Sequence, residues 1–185
     1  MENISRNSGE MESFVSRLKK QDNYNLQLGK VLKRFYIIMV VFYILLMVVN
    51  PFSDLSVLHR VIGLLFVLAF SWFAMLFSRY QKDFRDVDYG LPTLQMMQNV
   101  VERYKFSLKT ILQLIPPLVM VAIALSLTVY QSSSAANAPY RVLMVQLVFF
   151  LIALGAGYAG YEVWKVKHKP LVDHAREMLK ELNRM

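Results

Sequence analysis

Residues 110–130, "TILQLIPPLVMVAIALSLTVY", form 21 consecutive positions without a charge. A helix of that length rises about 30 Å, the thickness of a bilayer's hydrocarbon core. Three further apolar runs accompany it, Phe35–Val49, Val61–Ser78 and Val142–Trp164, and only the last carries a charge, Glu162. The first run has 15 residues, so Lys33 and Arg34 at its edge must snorkel or the bilayer must thin. Hydrophobic residues make up 56% of the 185-residue chain, and its mean hydropathy is +0.36. A single soluble core of this size would leave large apolar patches in water. The pattern therefore predicts an all-α integral membrane four-helix bundle of two antiparallel hairpins, with amphipathic cytoplasmic helices and the lipid bilayer as its first partner.

The basic residues orient this scheme. Seven of the 21 Lys and Arg residues precede the first run, six lie in the central loop and six in the tail, leaving only Arg60 and Arg141 elsewhere. The positive-inside rule places both termini and the central loop in the cytoplasm of a cytoplasmic (inner) membrane. The net charge of +8 then reports topology, and nucleic acid is not needed as a partner. The chain divides into a cytoplasmic segment 1–34, a membrane domain 35–164 that includes the central loop 79–109, and a cytoplasmic helix 165–185. The first apolar run begins only after a long polar segment, so it reads as an uncleaved span. Phe35, Tyr36, Tyr80, Tyr161 and Trp164 are expected at the inner interface, and Tyr130 and Tyr140 at the outer one.

Three cytoplasmic stretches carry helical periodicity. From Glu10 to Lys20, Met11, Phe14, Val15 and Leu18 share a face. After a break at Gly90 and a start at Pro92, the residues Leu94, Met97, Val101 and Tyr104 form a stripe on a helix expected to run into the third span. That stripe is a candidate docking face for a cytoplasmic regulatory protein, or else packs within the chain or on the membrane surface. In the tail, Pro170 is expected to open a helix that aligns Leu171, Ala175, Met178 and Leu182.

Within the spans two local features stand out. Ala153, Gly155, Ala156, Gly157, Ala159 and Gly160 make overlapping small-xxx-small pairs, which let helix backbones approach closely. This packing is expected either inside the chain's own bundle or between copies in a homo-oligomer. Pro116 and Pro117 remove two backbone donors and predict a kink in the third span. Gln113, Gln146, Ser71 and Ser126 are expected either to satisfy carbonyls across helices or to bond within their own helices.

Catalysis needs converging acids, bases, nucleophiles or metal ligands, and the sequence offers no recognisable set. Cysteine is absent. The three histidines, His59, His168 and His174, lack ligand spacing and read as solvated. Asp83, Asp86 and Asp88 alternate with Lys82 and Arg85, which fits ion pairs better than a metal site. Glu162, one turn from Lys165, reads as an interfacial ion pair. No catalytic residue, cofactor or metal is expected.

Asp88, Tyr89, Pro92 and the cluster Arg103, Tyr104 and Lys105, set between two apolar hairpins, resemble the central loop of uncharacterised short four-pass bacterial inner-membrane proteins. Some of these are encoded near sigma factors. The resemblance implies a transcription regulator among candidate partners and carries no established activity. The zinc-binding pattern of the best-known anti-sigma regulators is missing. The sequence thus leads to a non-enzymatic membrane regulator or scaffold that docks a cytoplasmic protein. The alternative is a small transporter or channel subunit acting as an oligomer.

Overall fold

The computed structural model describes residues 2–49, 57–134 and 136–182, with side chains described over 11–49, 57–134 and 136–181. The expected first outer turn at 50–56, Ala135, Arg184 and the side chains of Glu10 and Leu182 lie outside these residues. The described chain is all-α: α1 (Glu2–Val49), α2 (Val57–Arg85), α3 (Thr93–Tyr104), α4 (Leu108–Leu112), α5 (Ile115–Ser132), α6 (Ala138–Val163), a π-helical turn (Trp164–His168) and α7 (Lys169–Leu182). Four helical stretches are long and apolar enough to cross a membrane. The fold divides into two compact units. An amphipathic unit combines residues 1–31, 78–106 and 162–185, and an apolar unit combines 32–77 and 107–161.

In the apolar unit, aromatic rings join α1 to α2. Tyr36 stacks on Phe73 and Phe77 with centroids 5.0 and 5.5 Å apart, and Tyr43 stacks on Phe66 at 4.8 Å. Tyr36 thus packs against α2. Ile62 and Phe66 of α2 bury Ala124 of α5. Gln146 on α6 donates to the Ala122 carbonyl at 2.7 Å and to Ser126 Oγ at 2.6 Å on α5. Gln146 thus satisfies a carbonyl across helices as expected, whereas Ser126 takes part as an acceptor from Gln146.

The prolines act differently from expectation. Pro116 and Pro117 occupy the first turn of α5, after a turn at Gln113 and Leu114 that separates it from the short α4. In a first turn the backbone N–H groups have no helical partner, so the missing donors cost nothing. The expected kink is therefore a helix boundary. The expected continuous passage from the central helix into the third span also fails. The backbone is extended at Lys105 and Ser107, between α3 and α4.

The small residues of α6 require a correction too. A Cβ added at Gly155, Gly157 or Gly160 meets nothing within 4 Å, and Ala156 and Ala159 are exposed, with Ala153 half-buried. They do not pack within the chain's own bundle, because α6 meets α5 through the face carrying Gln146. The close helix approach occurs at Gly29. A Cβ there would lie 3.2 Å from the Tyr80 ring and 3.3 Å from the Gln81 backbone, both on α2.

The tail does not restart at Pro170. Helix continues from α6 into α7 through the π turn, in which the Lys169 N–H bonds to the Trp164 carbonyl five residues back. A proline ring clashes with the carbonyl four residues before it in an α-helix. The wider turn immediately before Pro170 relieves that clash.

Candidate functional site

The amphipathic unit is built on the apolar faces expected from helical spacing. Phe14 and Leu18 of α1, Phe84 of α2, Met96, Met97, Val100 and Tyr104 of α3, and Val172 and Ala175 of α7 form one buried core. Met97 is 0% and Tyr104 2% exposed, Val101 packs against them half-buried, and Leu94 alone is exposed. The candidate docking stripe is thus an internal face. Met97 and Tyr104 are covered within this core and Val101 is partly covered, so that of the four only Leu94 stays open to solvent. The alternative of packing within the chain describes it.

One buried carboxylate sits at the edge of this core. Asp22 follows Leu18 by one helical turn and therefore points the same way; it is 2% exposed. Its Oδ2 accepts hydrogen bonds from Tyr89 Oη at 2.6 Å and from Arg103 Nη1 at 3.0 Å, and its Oδ1 accepts one from Tyr104 Oη. Arg103 is itself 15% exposed. A carboxylate and a guanidinium withdrawn from water are tolerable only when paired and further hydrogen-bonded, and the two phenols supply the remaining bonds. Burial, followed by donation to the Asp22 carboxylate, raises the pKa of both Tyr89 and Tyr104. Both remain donors. Tyr89, Arg103 and Tyr104 thus converge on the one carboxylate of Asp22 on α1.

The same region fixes the chain's turns. Asp88 Oδ1 accepts the Gly90 N–H at 2.8 Å and closes the turn that delivers Tyr89. Trp164 Nε1 donates to the Tyr104 carbonyl at 2.8 Å, and the Trp164 ring packs on Phe106. This holds α3's last carbonyl and accounts for the helix ending there. Lys19 and Lys167 lie over the rings of Tyr89 and Tyr24, 5.1 and 4.5 Å from the centroids.

The histidines are not simply solvated: exposed His59 meets Gln131 Nε2 through its Nδ1 at 2.9 Å, and the other two pack on rings. His174 packs on Phe14 with ring centroids 5.0 Å apart. His168 meets Tyr104 edge to face at 5.0 Å, and its Nε2 lies 3.3 Å from Gln21 Nε2. Gln21 Nε2 also donates to Asn25 Oδ1 at 3.2 Å. Asn25 is 1% exposed, and its Nδ2 has no hydrogen-bond partner. Burial, with Lys167 adding to it, lowers the pKa of His168. Of the expected ion pairs, Arg85 joins Asp86 at 2.9 Å and Glu162 joins Lys165 at 3.9 Å, while Asp88 instead accepts the Gly90 N–H.

This constellation is a clamp. Each carboxylate oxygen of Asp22 already receives a donor from the chain itself, from the loop that carries Tyr89 and from the end of α3 that carries Arg103 and Tyr104. Asp22 escaped the sequence reading, although a signal existed: positions 14, 18, 22, 25 and 29 follow one helical stripe, on which Asp and Asn replace apolar residues. No protein-family model matches the chain, and no curated protein or solved structure shows significant similarity to it.

Proposed function

We propose that this chain is a non-enzymatic regulator or scaffold integral to a cytoplasmic membrane, arranged as two antiparallel hairpins with both termini inside. Its amphipathic unit serves as a cytoplasmic platform for a soluble regulatory protein, with a transcription regulator the partner class suggested by the resemblance. The observation that carries this reading is the two-sidedness of α3. Its inner face is locked into the core and onto Asp22, while Leu94, Gln95, Gln98, Asn99 and Glu102 remain exposed. A helix immobilised from behind presents an outer face at little further entropic cost on binding. The uneven distribution of basic residues supports the cytoplasmic placement of this unit. The second reading, an oligomeric transporter or channel subunit, draws on the open surface at Gly155, Gly157 and Gly160 of α6.

Photo-crosslinking amino acids placed in cells at Gln98, Met97 and Gly157 separate these readings. The platform predicts adducts with a soluble protein from Gln98, none from buried Met97, and lipid adducts from Gly157. Adducts between copies at Gly157, with none to another protein at Gln98, would favour the oligomer and contradict the platform.

A further inference from the structure

Gln21 meets His168 at the ring nitrogen Nε2. An amide nitrogen only donates. Gln21 Nε2 gives one hydrogen to Asn25 Oδ1, so its second hydrogen faces His168 Nε2. With the Gln21 amide in this orientation that ring nitrogen accepts, and a neutral His168 carries its proton on Nδ1. A proton added at Nε2 would set N–H against N–H.

We propose that His168, Gln21 and Asn25 form a proton-operated hydrogen-bond relay, in which protonation of His168 Nε2 reverses both amides. Gln21 turns its Oε1 towards the new Nε2–H, and Asn25 turns its Nδ2 towards the same Oε1. Two donors then meet one carbonyl oxygen, which has two lone pairs. The reversal has a built-in compensation. In the neutral state the unpaired donor is Asn25 Nδ2, fully buried. After reversal the amide nitrogen left over belongs to Gln21, which is half-buried and can reach water. Asn25 then buries an unpaired carbonyl oxygen, a less costly orphan than an N–H group.

The charges around His168 oppose and favour the proton in turn. From α1, Asp22 attracts it; Lys167, on the π turn itself, repels it, and Lys169 follows in sequence. From α3, Tyr104 lies against the ring and Arg103 holds Asp22. Tyr89 binds Asp22 from the preceding loop, and Tyr80 on α2 feels the same carboxylate. The folded unit favours neutral His168, so the stability contributed by that form is complete above the ordinary imidazole range. It is lost as the pH falls below that range towards the lowered folded value. Relay reversal limits the loss and gives the π turn a second, acid-stabilised hydrogen-bond arrangement with α1.

The test is nitrogen NMR on the full chain in lipid nanodiscs from about pH 8 to about pH 5, with His168 assigned by difference against His168→Gln. The expected spectrum at high pH shows the proton on Nδ1. On acidification both ring nitrogens become protonated, and the side-chain amides of Gln21 and Asn25 shift with the same midpoint. Gln21→Glu, which supplies an acceptor permanently, should raise that midpoint by about one pH unit. Gln21→Met should uncouple the Asn25 amide from His168. An Nε2–H tautomer at high pH, amides that stay fixed while His168 titrates, or a His168 that stays neutral throughout would each overturn the relay. The tautomer of the unmodified chain decides even where a variant fails to fold.

Discussion

Asp22→Ala is expected to destabilise the amphipathic unit by about 3–5 kcal/mol, the usual cost of removing one partner from a buried ion pair. The loss strands the Arg103 guanidinium, 15% exposed, and leaves the hydroxyls of Tyr89 and Tyr104 without their acceptor. Asp22→Asn should cost less, because one oxygen still accepts. Tyr89→Phe should cost about 0.5–1.5 kcal/mol, the net worth of an ordinary hydrogen bond. Helix content is a poor reporter, since the apolar helices keep theirs. Trp164, bonded to the Tyr104 carbonyl, is the better probe, used in a Trp72→Phe background during denaturant unfolding in detergent. An Asp22→Ala protein with an unchanged Trp164 transition would show that the clamp contributes nothing.

Met97→Asp should have a comparable effect for a different reason. Met97 is wholly buried, and a carboxylate placed there has no cation to pair with on its own stripe. Burying a lone charge costs several kcal/mol or forces the group to stay protonated, so the Trp164 transition should collapse and any partner should be lost with it. Gln98→Glu, one residue on and exposed, should melt like the parent. Partner loss by Met97→Asp with unchanged unfolding would instead make the Met97 stripe the docking face and reverse the correction made above.

Hydropathy is a local property, which is why the four long apolar helices and the face of Phe14 and Leu18 were legible in the sequence. The clamp was not, because Asp22 lies 67 residues from Tyr89 and 81 from Arg103. No short-range pattern brings such residues together; only the packing of α1, α2, α3 and α7 does. Pro116 and Pro117 illustrate a sound rule applied at the wrong register. Proline breaks a helix interior, but at a first turn the same chemistry starts one. The glycines divide similarly. Gly29 marks the close approach, with Tyr80 and Gln81 against it, whereas Gly155, Gly157 and Gly160 face open space. Their small-xxx-small spacing drew attention to the second group. His168 was misjudged because spacing tests for metal ligands say nothing about a ring wedged between Gln21 and Tyr104.

The proposed platform requires a chain that crosses a bilayer four times and keeps the amphipathic unit on the basic side. The chain contains no cysteine, so each introduced cysteine is a unique reporter. Gln27→Cys, Glu102→Cys, Glu177→Cys and Ala136→Cys all fall at exposed positions and can be probed in intact cells with a membrane-impermeant maleimide. Ala136→Cys should label from outside, and the other three only after the membrane is permeabilised. Labelling of Glu102→Cys from outside would contradict the four-span arrangement and the cytoplasmic platform together.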